Sequence, residues 1–174
     1  VSDYFAVAGV HIDINLSLPA AQQYPTSADL RGILMWSAAT HGKNKVAHVT
    51  DGLSNSILPG ECAGREDVYR GGLKTPVNFT SMPKVRARGG AWATTDNPYM
   101  IGQRNAWDAA FGPIPGAVAI NNSNEWGHCF YSFHEGGANF PFGDGTVRCL
   151  SASTNLAVLA GLVTRTGNES VSPD

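Results

Sequence analysis

The sequence predicts a β-rich α+β domain, an antiparallel sheet of short strands with long loops and one or two helices. Three observations carry that expectation. Charged residues make up only 15% of the chain while Gly reaches 20 and Pro 10, a profile of short elements joined by turns. Asp144-Gly145 sits between Phe140, Phe142 and Val147, a strong short-range hairpin signal. Helical apolar spacing is confined to two short windows.

Taken in order, Ser27 to Ala39 predicts a helix capped by Ser27, with Leu30, Ile33, Leu34 and Ser37 on one face and Gly32 working against it. Ser54 to Glu61 reads as a strand, Gly71 to Arg88 as a long loop and Gly90 to Thr95 as a short strand. Asn105 to Pro115 is turn-rich, and Ala117 to Ile120 is a brief apolar strand. Asn139 to Gly143 and Thr146 to Leu150 are the paired strands of the hairpin. A two-residue type I′ turn is expected there, with positive φ at both Asp144 and Gly145. Leu156, Leu159, Leu162 and Val163 repeat at helical spacing, so Asn155 to Val163 is the closing helix, ending near Gly167.

Size and charge bound the function. The 174 residues make one domain, 1–174, long enough for a real core. With 12 basic against 14 acidic residues the chain is nearly neutral, so neither nucleic acid nor an anionic membrane surface is an expected partner. The most apolar windows, GILMWSAA and NLAVLAGLV, fall far short of the ~20 residues of a membrane span, so no membrane contact by this segment is expected.

Cys62, Cys129 and Cys149 are odd in number, so at most one disulfide forms within the chain. In a simple meander the strands of Cys129 and Cys149 would lie ~9.6 Å apart, too far for a bridge. They can pair only as direct neighbours, and the pairing stays open. No cysteine or histidine cluster has the spacing of a structural zinc site.

Three blocks carry a resemblance. Gly127 to Leu150, GHCFYSFHEGGANFPFGDGTVRCL, contains an aromatic-His-x-Gly-Gly-x-Asn run at His134, Gly136, Gly137 and Asn139, with nine residues between His134 and Asp144-Gly145. Val49 to Asp67, VTDGLSNSILPGECAGRED, holds Asp51-Gly52 and a Gly-Glu ending at Glu61, and Arg86 to Arg104 holds a Gly-Gly-x-Trp at Trp92. In this order they resemble the signature of bacterial prepilin-like secreted proteins defined by a His-x(9)-Asp-Gly motif. The resemblance spans most of the chain from Asp3 onward. It implies a pilin-like or pseudopilin-like protein whose precursor carries a cleavage signal and a long apolar helix. It also implies an extracellular, cell-surface or periplasmic location, and self-association or other pilin-like subunits as partners. The chain opens at VSDYFAVAGV without a basic n-region or apolar helix, so that helix is expected to be absent here.

Each chemical candidate has a bland counterpart. His134 and Asp144 suggest a metal or acid/base pair, but an extended strand between them sets their ends ~15 to 20 Å apart. Asp144 is therefore expected to serve the turn, and His134 to fix the Gly136-Gly137 loop by hydrogen bonds. Calcium takes carboxylates and carbonyls, and Asp51, Glu61, Glu66, Asp67, Asp96, Asp108 and Glu125 fall on presumed loops. Some pseudopilins carry a calcium site, so calcium is the one cofactor considered; no EF-hand pattern is present, and solvated carboxylates are the default.

A glycan or small ligand is the third candidate. Trp36, Trp92, Trp107, Trp126, Tyr99 and Tyr131 are many rings for loops, although core filling is the simpler role. The sequence shows no nucleophile elbow, His-Glu-x-x-His, phosphate loop or dinucleotide fingerprint. A metal-dependent hydrolase survives as the rival class, through His11, His41, His48 and His128. Asn78, Asn121 and Asn168 begin glycosylation patterns, which mean little in the bacterial protein that the resemblance implies. The expectation is a non-catalytic module for assembly or recognition.

Overall fold

The computed structural model describes residues 2–35, 44–65, 67–70, 73–75, 99–102, 106–108, 112–114, 120–124 and 130–167. Its strands are β1 (Tyr4–Val10), β2 (Pro59–Glu61), β3 (Val68–Arg70), β4 (Leu73–Thr75), β5 (Tyr99–Ile101), β6 (Ala106–Asp108), β7 (Gly112–Ile114), β8 (Gly137–Pro141) and β9 (Val147–Ser151). Among the described residues one α-helix follows them, α1 (Leu156–Val163). The domain is α+β and β-rich.

The sequence YFAVAGV explains why β1 is central. Its apolar and β-branched residues bury Phe5, Val7 and Val10 almost completely. β1 pairs antiparallel with β2, placing Tyr4 opposite Glu61, and parallel with β5, with Val10 opposite Ile101 and an irregularity between Val7 and Gly9. At Gly9 the chain meets Arg31 in an antiparallel bridge.

That bridge overturns the helix expected from Ser27. Over 27–35 the chain is extended or turning, with Val10 N–H donating to Leu30 O at 2.8 Å and Gly32 N–H to Ala8 O at 2.7 Å. The edge of β1 captures these backbone groups, and a Cβ on Gly32 would stand 2.8 Å from Val7 O. Gly32 thus allows a close approach to a strand. The remainder of that segment lies outside the described residues.

β2 is shorter than expected, because Leu53–Asn55 form a 3-10 turn and only Pro59–Glu61 run as a strand. Within the presumed loop after Gly71, β4 pairs with β3, Arg70 opposite Leu73. The turn-rich stretch from Asn105 likewise contains β6 and β7, with Trp107 opposite Pro113. The strands expected at Gly90–Thr95 and over 117–119 lie outside the described residues. Ile120 itself bridges Phe130 in parallel.

β8 and β9 pair antiparallel from Gly137↔Ser151 to Pro141↔Val147. The turn between them differs from the type I′ expectation. Gly145 N–H donates to Phe142 O at 3.0 Å and Phe142 N–H to Thr146 O at 2.8 Å, closing a loop of three residues. Only Gly145 is left-handed, at φ +85°, whereas Asp144 keeps a negative φ. This is a three-residue connection closed by a left-handed glycine. Asp144 instead accepts from Thr146 N–H (2.9 Å) and Thr146 Oγ1 (2.7 Å), a side-chain turn that removes its need for positive φ.

α1 begins where Asn155 accepts from Ala157 N–H at 2.8 Å and ends at Val163, before the expected Gly167; Thr164 is already extended. Leu159 and Leu162 are buried with Ile57, Phe130, Phe140 and Phe142 in the core. Phe130 meets Phe140 edge to face, centroids 4.7 Å apart. No helix among the described residues is long and apolar enough to cross a membrane.

Candidate functional site

Two of the three sequence blocks meet at one place. β8 approaches the chain leading into β2 through Gly143 N–H to Ser56 O (2.9 Å) and Leu58 N–H to Pro141 O (3.0 Å). Beyond those bonds Tyr131 N–H takes Glu61 O at 2.9 Å, and the Phe130 ring packs where a Cβ on Gly60 would stand 2.1 Å from it. The next backbone donor of β8, Asn139 N–H, finds the carboxylate of Glu61 instead: Oε2 accepts it at 2.8 Å. A side chain completes the junction.

The other carboxylate oxygen, Oε1, lies 3.3 Å from His134 Nε2. The Glu61 side chain is 7% exposed and that of His134 56%, so a buried acid carries an imidazole on its solvent side. His134 is positioned by its own backbone: its N–H donates to Ser132 Oγ at 3.1 Å, and Ser132 Oγ donates to Gly137 O at 2.5 Å. Asn121 adds a second clamp. Held at φ +60°, it donates from Nδ2 to Gly137 O (3.0 Å) and accepts from Ser132 N–H (2.8 Å). The chain turns at Gly136, φ +80°.

Tyr4 completes the group from β1, opposite Glu61. Burial holds its phenol above the usual 10.0, the Glu61 charge adds to this, and a hydrogen bond with the Asn139 side chain opposes it. Phe133, the residue before His134, is 62% exposed and sets its ring edge-on to Tyr69 at 4.9 Å.

The structure therefore corrects the assignment for His134. Its imidazole turns to Glu61, and the Gly136-Gly137 loop is fixed by Ser132 and Asn121. Asp144 is engaged at the hairpin, with Arg148 4.0 Å away. Asp51 and Gly52 serve a different joint, where Asp51 Oδ2 accepts from Gly167 N–H at 2.8 Å and Gly52 O from Ser56 Oγ at 3.1 Å. Sequence reasoning missed Tyr4, Asn121 and Ser132. For Asn121 the one signal was a glycosylation pattern, which the occupied side chain supersedes.

Among the described residues no group of three or more His, Cys, Asp or Glu side chains is arranged to hold a metal ion. Of the residues considered for calcium, Glu66, Asp96 and Glu125 lie outside the described residues. Of the ring-bearing candidates, Tyr99 opens β5 and Trp107 lies in β6. Trp36, Trp92 and Trp126 lie outside the described residues, as do His41, Asn78, Cys129, His128 and Asn168. Cys62 and Cys149 are free thiols, the first buried and the second exposed. Cys62 Sγ lies 2.9 Å from the Arg65 guanidinium, which is itself buried over the Phe5 ring, 4.4 Å from its centroid.

Neither the curated proteins nor the solved structures compared with this chain give a match. One family model does, over residues 10–157, a span that takes in Glu61, His134 and Asn139. On that match the chain belongs to the family described as Protein of unknown function (DUF1559).

Proposed function

We propose that this chain is the β-rich domain of a pilin-like or pseudopilin-like protein, secreted or displayed at the cell surface. It acts in filament or secretion-system assembly or in extracellular recognition, without catalysis. The order of the three blocks supports the pilin-like part. The observation that carries the non-catalytic part is the use made of Glu61. One of its oxygens accepts the Asn139 N–H and the other faces His134, so the acid beside the motif histidine is engaged in the junction of β8 with β2.

The test uses the intact protein in its source cells. The domain is expected in the sheared surface fraction, with no turnover of polysaccharides or esters by the purified protein. Steady turnover that is abolished by His134→Ala while the fold survives would overturn the reading in favour of a hydrolase.

A second reading, binding of a glycan or small ring-bearing ligand, is favoured by Phe133, an exposed ring that stacks edge-on with Tyr69 and immediately precedes the half-exposed His134 in the chain. Phe133→Ala would then weaken glycan-array binding, and a silent array would remove this alternative.

A further inference from the structure

We propose that the outer edge of β9 pairs antiparallel with β9 of a second copy of this chain, about a twofold axis at Cys149. The inference deepens the assembly reading and rests on it.

The parity of the hairpin fixes which groups face outward. Phe142 N–H bonds Thr146 O, and Ala152 N–H bonds Gly136 O, at the two ends of the β8/β9 ladder. Hydrogen-bonded pairs alternate with non-bonded ones in an antiparallel pair. Phe140↔Arg148 and Ala138↔Leu150 therefore exchange the ladder bonds, and Val147, Cys149 and Ser151 direct their N–H and C=O groups away from β8. Ser151 O is taken by Thr154 N–H. Among the described residues nothing takes the outward groups of Val147 and Cys149.

Natural edge strands are usually blunted by Pro, Lys, a bulge or a covering loop. Val147–Ser151 contains neither Pro nor Lys and pairs without irregularity. Its single charge, Arg148, is drawn back over the Phe142 ring, 4.3 Å from the centroid, and toward Asp144. Val147 is 62% exposed, and Cys149 is exposed beside it. This edge is dressed for pairing.

Self-complementarity selects the occupant. A twofold axis at Cys149 sets Cys149 opposite Cys149 and Val147 opposite Ser151, where Ser151 N–H is open among the described residues and Ser151 O, which takes Thr154 N–H, has a second lone pair for Val147 N–H. An axis at Arg148 would set two guanidinium groups directly opposite each other, which is destabilising. An axis at Leu150 moves Val147 opposite Ser153, beyond the end of β9. In the favoured register the two Cys149 Cα atoms lie about 5.5 Å apart, within reach of a short cross-link.

The experiment uses the reduced protein carrying Cys129→Ser, so that Cys149 is the accessible thiol to be probed. Sedimentation should show a concentration-dependent dimer, and a short bismaleimide should join two chains through Cys149, identified by peptide mapping. Val147→Pro removes an outward N–H without touching the β8 ladder, and Val147→Lys adds a charge to the same edge. Each should weaken the dimer by about tenfold or more, a step of about 1.4 kcal/mol, while the melting temperature of Val147→Lys, read at monomer concentrations, stays that of the parent. A monomer up to about millimolar concentration, or a dimer indifferent to both substitutions, would overturn the inference. Either result obtained with a protein still present in sheared surface filaments would leave the assembly reading standing.

Discussion

Glu61 Oε2 accepts a hydrogen bond of 2.8 Å from the backbone N–H of Asn139, 78 positions further along the chain. The carboxylate stands where a regular ladder would put a carbonyl, and it does so in the buried interior. Removing it orphans a donor. Glu61→Ala should destabilise the domain by about 1 to 3 kcal/mol and Glu61→Gln by less, because an amide oxygen still accepts. His134→Ala, at the half-exposed end of the pair, should cost no more than about 1 kcal/mol. Urea denaturation of the three variants gives the order, and equal stability of Glu61→Ala and the parent would refute the junction.

Two glycines should fail for different reasons. A Cβ on Gly145 meets open space, but its φ of +85° disfavours any β-branched residue, so Gly145→Val should cost about 1 to 3 kcal/mol and Gly145→Asn clearly less. Gly60→Ala, by contrast, puts a methyl into the Phe130 ring and should be felt through core packing. Thermal melts with ring-proton NMR separate the two, since only the second should shift the Phe130 signals.

Asp144 sets a pH window. Its carboxyl is held below the usual 3.8, first by Thr146 N–H and then by the Thr146 hydroxyl. A depressed acid stabilises the fold above its unfolded pKa, and that contribution is lost as pH falls through the lower folded value. Thr146→Ala should move the Asp144 titration part of the way back toward 3.8, because the backbone bond survives. Carboxyl-carbon NMR titration checks this, and an unmoved midpoint would count against the turn.

The thiols should differ in reactivity. Burial pushes the Cys62 thiol up, opposed by the neighbouring Arg65, while Cys149 is exposed. Brief alkylation of the native protein should label Cys149 and spare Cys62, which should react only after unfolding. Equal labelling of both in native conditions would contradict the burial of Cys62.

What the sequence made legible was local. Asp144-Gly145 announced β8 and β9, and Asn155 followed by Leu156, Leu159 and Leu162 announced α1, because turn and cap chemistry act over a few residues. The turn type was misjudged, since Asp144 satisfies itself through Thr146. Leu30 begins a helical spacing yet lies, with Arg31 and Gly32, on the edge of β1, a tertiary capture that periodicity does not encode. The β3/β4 hairpin did have a signal, Gly71-Gly72 between two β-branched or long side-chain triplets. For the site, the blocks were visible but their meeting was not. Motif spacing located Glu61, His134 and Asn139, whereas the register of β1 against β2 and the insertion of Phe130 and Tyr131 decide that they touch.

The place of β1 in the sheet also sets an order of events during synthesis. Its partners are β2, at Pro59–Glu61, and β5, at Tyr99–Ile101, so a strand made before either keeps one edge open until the second of them emerges. Until Ile101 has been added, YFAVAGV presents open backbone groups and an apolar face to whatever is near, and pairings this distant in sequence form slowly. Between the making of β1 and the arrival of β5 a nascent chain is thus exposed to mispairing, and holding that strand unpaired is the task it sets for the cell's chaperones.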